Sequence, residues 1–188
     1  MWNLPNLLTL LRILLIPVFV AVFYVDAPWA AYAAAAVFGA AALTDWLDGY
    51  LARRWSQTSP LGAFLDPVAD KLMVAVALVV AVQADPRVLM ALPVMVIIGR
   101  EIAVSAVREW MAEIGDRAAV AVSMLGKIKT TVQMISIAIL ILRESIFGPW
   151  LYGLGVALLY VAAILTLWSM VLYLRAAWPS LSGAKQGD

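Results

Sequence analysis

The chain has no cysteine and no histidine among its 188 residues. The first absence excludes disulfides, thiolate nucleophiles and cysteine-held zinc. The second removes the usual imidazole base and the imidazole metal ligand. Charge is scarce too: 13% of residues are charged and 65% are hydrophobic, against roughly a quarter and a half in soluble domains. Lys and Arg number 13 and Asp and Glu 12, so the net charge of +1 carries no message about partners. Any chemistry must run on carboxylates, hydroxyls, lysine and arginine, and any metal must be hard and oxygen-bound. No internal repeat or low-complexity tract is evident.

What remains is a series of apolar segments, each near the ~20 residues a helix needs to cross a bilayer. Six spans are expected near 5–25, 29–54, 60–83, 87–112, 124–143 and 149–176. Asp26-Ala27-Pro28, Thr58-Ser59-Pro60, Asp85-Pro86 and Gly148-Pro149 punctuate them, and Glu113, Gly115, Asp116 and Arg117 mark a polar loop over 113–123. The expected fold is an all-α polytopic membrane protein, a bundle of six transmembrane helices. One transmembrane domain would cover 1–178, and 179–188 would be a mobile cytoplasmic tail. Trp2, Trp29, Trp46, Trp55, Trp110, Trp150 and Trp178 lie mostly near span ends, as aromatic belts do.

No cleaved signal peptide is expected, because a basic leader is lacking and Arg12 interrupts the first apolar run. Arg53, Arg54, Arg108, Arg117, Lys127, Lys129, Arg175 and Lys185 fall at one set of span ends, Arg87 and Arg143 at the other. The positive-inside tendency puts the first set, and with it both termini, in the cytoplasm.

Four acids stand out within the second and third spans. Asp45 and Asp48 are three apart and Asp66 and Asp70 four apart, so on helices each pair shares a face. An aspartate at mid-span costs roughly 2.5–3.5 kcal/mol on insertion scales and normally marks function or is paired. Two readings compete. Arg53, Arg54, Lys71 and Arg100 could form structural ion pairs with the acids. Alternatively, two carboxylate pairs could bridge hard divalent cations that clamp phosphoryl oxygens. Gly49 and Gly62 would then let a nucleotide or pyrophosphate approach a helix closely, or they serve helix packing through small residues.

The arrangement Asp45-x2-Asp48-Gly49-x2-Ala52-Arg53-x8-Gly62-x3-Asp66-x3-Asp70 resembles, at every fixed position, the signature of the CDP-alcohol phosphotransferase family. The resemblance implies two divalent cations, Mg²⁺ or Mn²⁺, held by Asp45, Asp48, Asp66 and Asp70, with Asp70 also the general base on the acceptor hydroxyl. It implies that Gly49, Ala52, Arg53 and Gly62 line the pocket for CDP-diacylglycerol.

Further stretches resemble the bacterial branch of the family that uses glycerol 3-phosphate as acceptor. They are Pro5-Asn6-x2-Thr9-x2-Arg12, Arg100-Glu101, Arg108-Glu109-Trp110 and Gly126-Lys127-Ile128-Lys129-Thr130. Arg100 and Arg108 lie eight apart on one helix face, and Lys127 and Lys129 open the fifth span on the same side. Together these four cations would receive an anionic acceptor, or they are positive-inside anchors and headgroup contacts. Asn6, Thr9 and Arg12 would lie near the nucleotide, or Asn6 and Thr9 cap the first helix.

The reaction implied is transfer of a phosphatidyl group from CDP-diacylglycerol to glycerol 3-phosphate, at the cytoplasmic face of a bacterial inner membrane. The bilayer is the other partner, a homodimer is implied by the resemblance alone, and no nucleic-acid partner is expected. The rival readings are the same chemistry with serine, inositol phosphate or a phospholipid as acceptor, and a cation transporter using intramembrane aspartates as a relay.

Overall fold

A proline in the first helical turn lacks only a hydrogen bond that the turn could not make anyway. Two of the described helices begin on such a proline, Pro60 and Pro149. In the computed structural model the described residues are 4–55, 60–113, 124–142 and 148–181. They form α1 (Leu4–Phe23), α2 (Ala30–Trp55), α3 (Pro60–Ala84), α4 (Val88–Glu113), α5 (Met124–Leu142) and α6 (Pro149–Leu181), with no strand among them. The boundaries follow the expected punctuation closely. Gly148, at φ 75°, adopts the left-handed conformation that glycine accommodates without strain, and its carbonyl accepts the Leu151 N–H at 3.3 Å. The helix it opens runs past the expected end at 176 to Leu181. Hydropathy marks where the hydrocarbon ends, whereas a helix can continue into water with its backbone still bonded.

Among the described residues, three helical stretches are long and apolar enough to cross a membrane: Asn6–Phe23, Val88–Glu113 and Pro149–Trp178. Apolar side chains occupy both their inward and outward faces. On α6, Leu159, Ala162 and Ala163 are buried while Val161, Ile164 and Trp168 are exposed, a pattern water would not tolerate but lipid does. The other three helices carry Asp45 and Asp48 on α2, Asp66, Asp70 and Lys71 on α3, and Lys127 and Lys129 on α5, while Arg12 interrupts the apolar run of α1 and Arg100, Glu101 and Arg108 that of α4. The chain is an all-α polytopic membrane protein. Trp29, Trp110, Trp150 and Trp178, near helix ends, are exposed as belt residues should be.

The chain divides into two compact units. The first holds residues 1–85 and 137–155, the second 86–136 and 156–188.

In the first unit α1 packs against α2 and α3. Phe19, fully buried, sets its ring 6.3 Å from that of Phe38 and 6.0 Å from that of Phe23. α2 buries Ala30, Ala34, Phe38 and Ala41, and α3 buries Ala69, Met73, Ala77 and Ala81. Both rows step by three or four residues, and their small side chains let helices approach closely, as membrane helices do. At the far end of α3 the Tyr24 hydroxyl donates to Gln83 at 3.2 Å, and Tyr152 of α6 donates to Asp85.

In the second unit α4 buries Met90, Val94, Ile97, Val104 and Met111. The α5 residues of this unit bury a polar row instead, Lys129, Gln133 and Ser136. α6 alternates small and polar residues on its buried stripe: Ala162, Thr166, Ser169, Tyr173 and Ala177.

Candidate functional site

The first unit gathers three of the four motif aspartates onto one face of α1. Thr9 and Arg12 are three apart on that helix and fully buried, so they point the same way. The Thr9 hydroxyl donates to an oxygen of Asp66. The Arg12 guanidinium reaches Asp45 with Nη1 at 2.8 Å and pairs with Asp48 through Nη2. One guanidinium thus faces two carboxylates, donating a hydrogen bond to Asp48 and meeting Asp45 as a charge contact. Asp48 is buried, Asp66 half-buried, and Asp45 and Asp70 exposed. Asp70 lies one turn beyond Asp66 on α3.

To the ion-pair expectation the structure adds a cation that it did not name. Arg12, none of the four cations considered for it, pairs with Asp45 and Asp48. Arg100 belongs to the other unit and has partners of its own there. The capping role considered for Asn6 and Thr9 also falls away: α1 contains both, each is buried, and Thr9 spends its hydroxyl on Asp66. Gly62 is buried on α3. Gly49, Ala52 and Arg53 fall on α2 and Lys127 on α5, but their side chains lie outside the described ones.

The donor chemistry suits a hard divalent cation, four carboxylates with no nitrogen or sulfur competitor. As the side chains stand, no three acidic groups among the described residues are close enough to hold one ion. Positive charge reaches Asp45 and Asp48 from Arg12 instead.

The second unit holds a cluster of the opposite sign. Glu101 Oε1 accepts from Arg100 Nη1 and from Lys129 Nζ, each at 2.9 Å, and Arg100 Nη2 donates to Ser169 Oγ at 3.1 Å. Lys129 is buried, Arg100 and Glu101 half-buried, and Arg108 exposed. Arg100 and Arg108 are both close enough for their charges to bear on Lys129. Three polar atoms nearby are buried with no hydrogen-bond partner among the described residues: Arg100 Nε, Thr166 Oγ1 and the Tyr173 hydroxyl. A donor-rich pocket of this kind suits a ligand rich in acceptor oxygens.

Thus Arg100 and Lys129, expected together, are joined. Glu101, Thr166, Ser169 and Tyr173 were not expected to take part. Thr166, Ser169 and Tyr173 stand at steps of three and four in an otherwise apolar helix, and that spacing was the available signal.

The whole pattern has close relatives. The CDP-alcohol phosphatidyltransferase family model matches residues 2–168. The CDP-diacylglycerol–glycerol-3-phosphate 3-phosphatidyltransferase of Escherichia coli strain K12 is 54% identical over 176 residues, 94% of this chain and 95% of that protein. The protein of the same name from Shigella flexneri serotype 5b is 54% identical over the same shares. With its aspartate signature intact and this likeness running from end to end, the chain belongs to the CDP-alcohol phosphatidyltransferase family.

Proposed function

We propose that this protein transfers the phosphatidyl group of CDP-diacylglycerol to glycerol 3-phosphate, releasing CMP and phosphatidylglycerol phosphate. One observation carries the reading: the chain builds two charge clusters of opposite sign, aspartates gathered by α1 and the Arg100–Glu101–Lys129 set. The names of its relatives supply donor and acceptor. The acids are concentrated in one helical hairpin, whereas transporters often repeat broken spans in two related halves, and nothing favours the transporter reading.

In this reading Asp45, Asp48, Asp66 and Asp70 hold two divalent cations, Mg²⁺ or Mn²⁺, whose charge stabilises the diphosphate and the departing CMP. Gly49, Ala52, Arg53 and Gly62 accommodate the nucleotide. Arg100, Arg108, Lys127 and Lys129 bind the phosphate of the acceptor by charge-assisted hydrogen bonds. Asp70 accepts the proton of the acceptor's primary hydroxyl. That oxygen bonds to the lipid-side phosphorus as the bond to the CMP oxygen breaks. A carboxylate base is adequate because placement on the hydroxyl matters more than basicity. Both termini and the site face the cytoplasm of a bacterial inner membrane.

The test is purified protein with CDP-diacylglycerol and a panel of alcohols, followed by CMP release. Glycerol 3-phosphate should support release, and serine, inositol phosphate and phospholipid should not. Equal release with another acceptor would overturn the substrate, and release with none would overturn the chemistry.

A further inference from the structure

We infer that Arg12 is the resident counter-cation of the aspartate site: it holds Asp45 and Asp48 in the metal-free protein, and a divalent cation binds by displacing it. This rests on the proposed role of the aspartates as cation ligands and adds a step that role does not contain.

The observations begin with burial. Arg12 is only 1% exposed, on a helix otherwise apolar enough to cross a membrane, and Asp48 is 4% exposed. A carboxylate as buried as that of Asp48 needs a positive partner, since an unpaired charge in such surroundings is strongly destabilising. Arg12 supplies it to two aspartates at once.

That same contact blocks a metal. A divalent ion sits roughly 2.0–2.6 Å from its carboxylate oxygens. The guanidinium sits 2.8 Å from one oxygen of Asp45 and pairs with one of Asp48. Ion and guanidinium cannot share those oxygens without close like-charge contact.

The arginine is nevertheless incompletely satisfied. Its buried Nε and Nη1 make no hydrogen bond among the described residues, so the contact of Nη1 with Asp45 is one of charge. The guanidinium is therefore held chiefly by the two carboxylates that the metal would claim, and little else opposes its release. Thr9, one turn earlier, holds Asp66 with a neutral hydroxyl, which repels no incoming cation. Arg12 is in this sense a positioning residue: it sets metal affinity through the carboxylates.

The experiment measures metal binding without turnover. Detergent-purified protein is stripped with chelator and titrated with Mn²⁺, and the free ion is read by its electron paramagnetic resonance signal. Arg12→Gln should bind Mn²⁺ about ten- to a hundredfold more tightly than the wild type, because the ion no longer breaks a charge-assisted pair. Arg12→Lys keeps the charge without the fork and should fall between them. It carries the test if the glutamine variant does not survive chelation. If Arg12 only holds the fold together, affinity in both variants stays the same or falls, and the exchange is overturned. Asp45→Asn separates the two readings. Mn²⁺ bound by wild type, weakened in Asp45→Asn and not tightened in either Arg12 variant refutes the exchange alone. A wild type that binds no Mn²⁺, or binding that Asp45→Asn leaves untouched, refutes the cation site and the exchange with it.

Discussion

Replacing Lys129 by Ala should weaken acceptor use far more than lipid use. The ammonium of Lys129 lies 2.9 Å from Glu101 Oε1, and Arg100 donates to that same oxygen at 2.9 Å. Removing one member of a buried pair costs about 3–5 kcal/mol when the other is left uncompensated. Here Glu101 keeps Arg100, so the loss of stability should be nearer ~1.5–3 kcal/mol, that of a single hydrogen bond to a charged group. Binding should suffer separately. One charge-assisted hydrogen bond to the acceptor phosphate is worth about 1.5–3 kcal/mol, or roughly ten- to a hundredfold in kcat/KM. The assay is steady-state CMP release with each substrate varied in turn. KM for glycerol 3-phosphate should rise by about that factor while KM for CDP-diacylglycerol changes little. Equal losses for both substrates would refute the reasoning and leave Lys129 a structural partner of Glu101.

Chelation should abolish CMP release, and Mg²⁺ or Mn²⁺ should restore it; full turnover in excess chelator would remove the metal from the mechanism. Asp70→Asn should lose turnover while retaining metal-dependent binding of the CDP-lipid, whereas Asp45→Asn should lose both; substantial activity in Asp70→Asn would end its assignment as base. Gly155→Val should lower the melting temperature, because a Cβ there comes 2.8 Å from Ile139 Cγ2 and overpacking costs about 1–3 kcal/mol. Gly39→Ala is its control, since a Cβ added at Gly39 meets nothing within 4 Å, and an equal melting temperature in both would show that Ile139 gives way.

The helices were legible because their signals are local. Asp85-Pro86 and Gly148-Pro149 each stop one apolar run and start the next, and the helices begin within two residues of those points. The aspartate stripes were legible for the same reason, since spacings of three and four are fixed by one helix's own geometry. The partner of Asp45 and Asp48 was not. Arg12 lies more than thirty positions away, and attention went to Arg53, Arg54 and Lys71 because they are near in the chain. The sequence did hold the clue: an arginine inside an apolar span must find a carboxylate. Glu101 stood in the sequence beside Arg100 without a role, since neighbours point to different sides of an ideal helix, yet the long arginine bridges to it at 2.9 Å. Thr166 and Tyr173 were hidden by composition, since hydroxyls in membrane helices usually bond back to their own backbone. Ser169 does so, to the Thr166 carbonyl at 2.9 Å.

The two clusters share a logic that ties packing to ligand. In water a spare charge is cheap, but inside a membrane protein it must be matched, so the matching that exists defines what is still wanted. On α1 a single guanidinium faces Asp45 and Asp48, and the neutral hydroxyl of Thr9 donates to Asp66. Negative charge is in excess over what Arg12 supplies, and such a site draws cations. On α4 and α5 the single carboxylate of Glu101 serves both Arg100 and Lys129, with Arg108 close enough to add its charge. Positive charge is in excess there, and Arg100 Nε still lacks an acceptor. That site draws an anion with several oxygens, as a phosphate monoester is. A fold that merely neutralised its buried charges would pair them one to one. The gathering of acids in one cluster and of cations in the other is the physical reason for proposing metal ions at the aspartates and the acceptor's phosphate at the arginine and lysine.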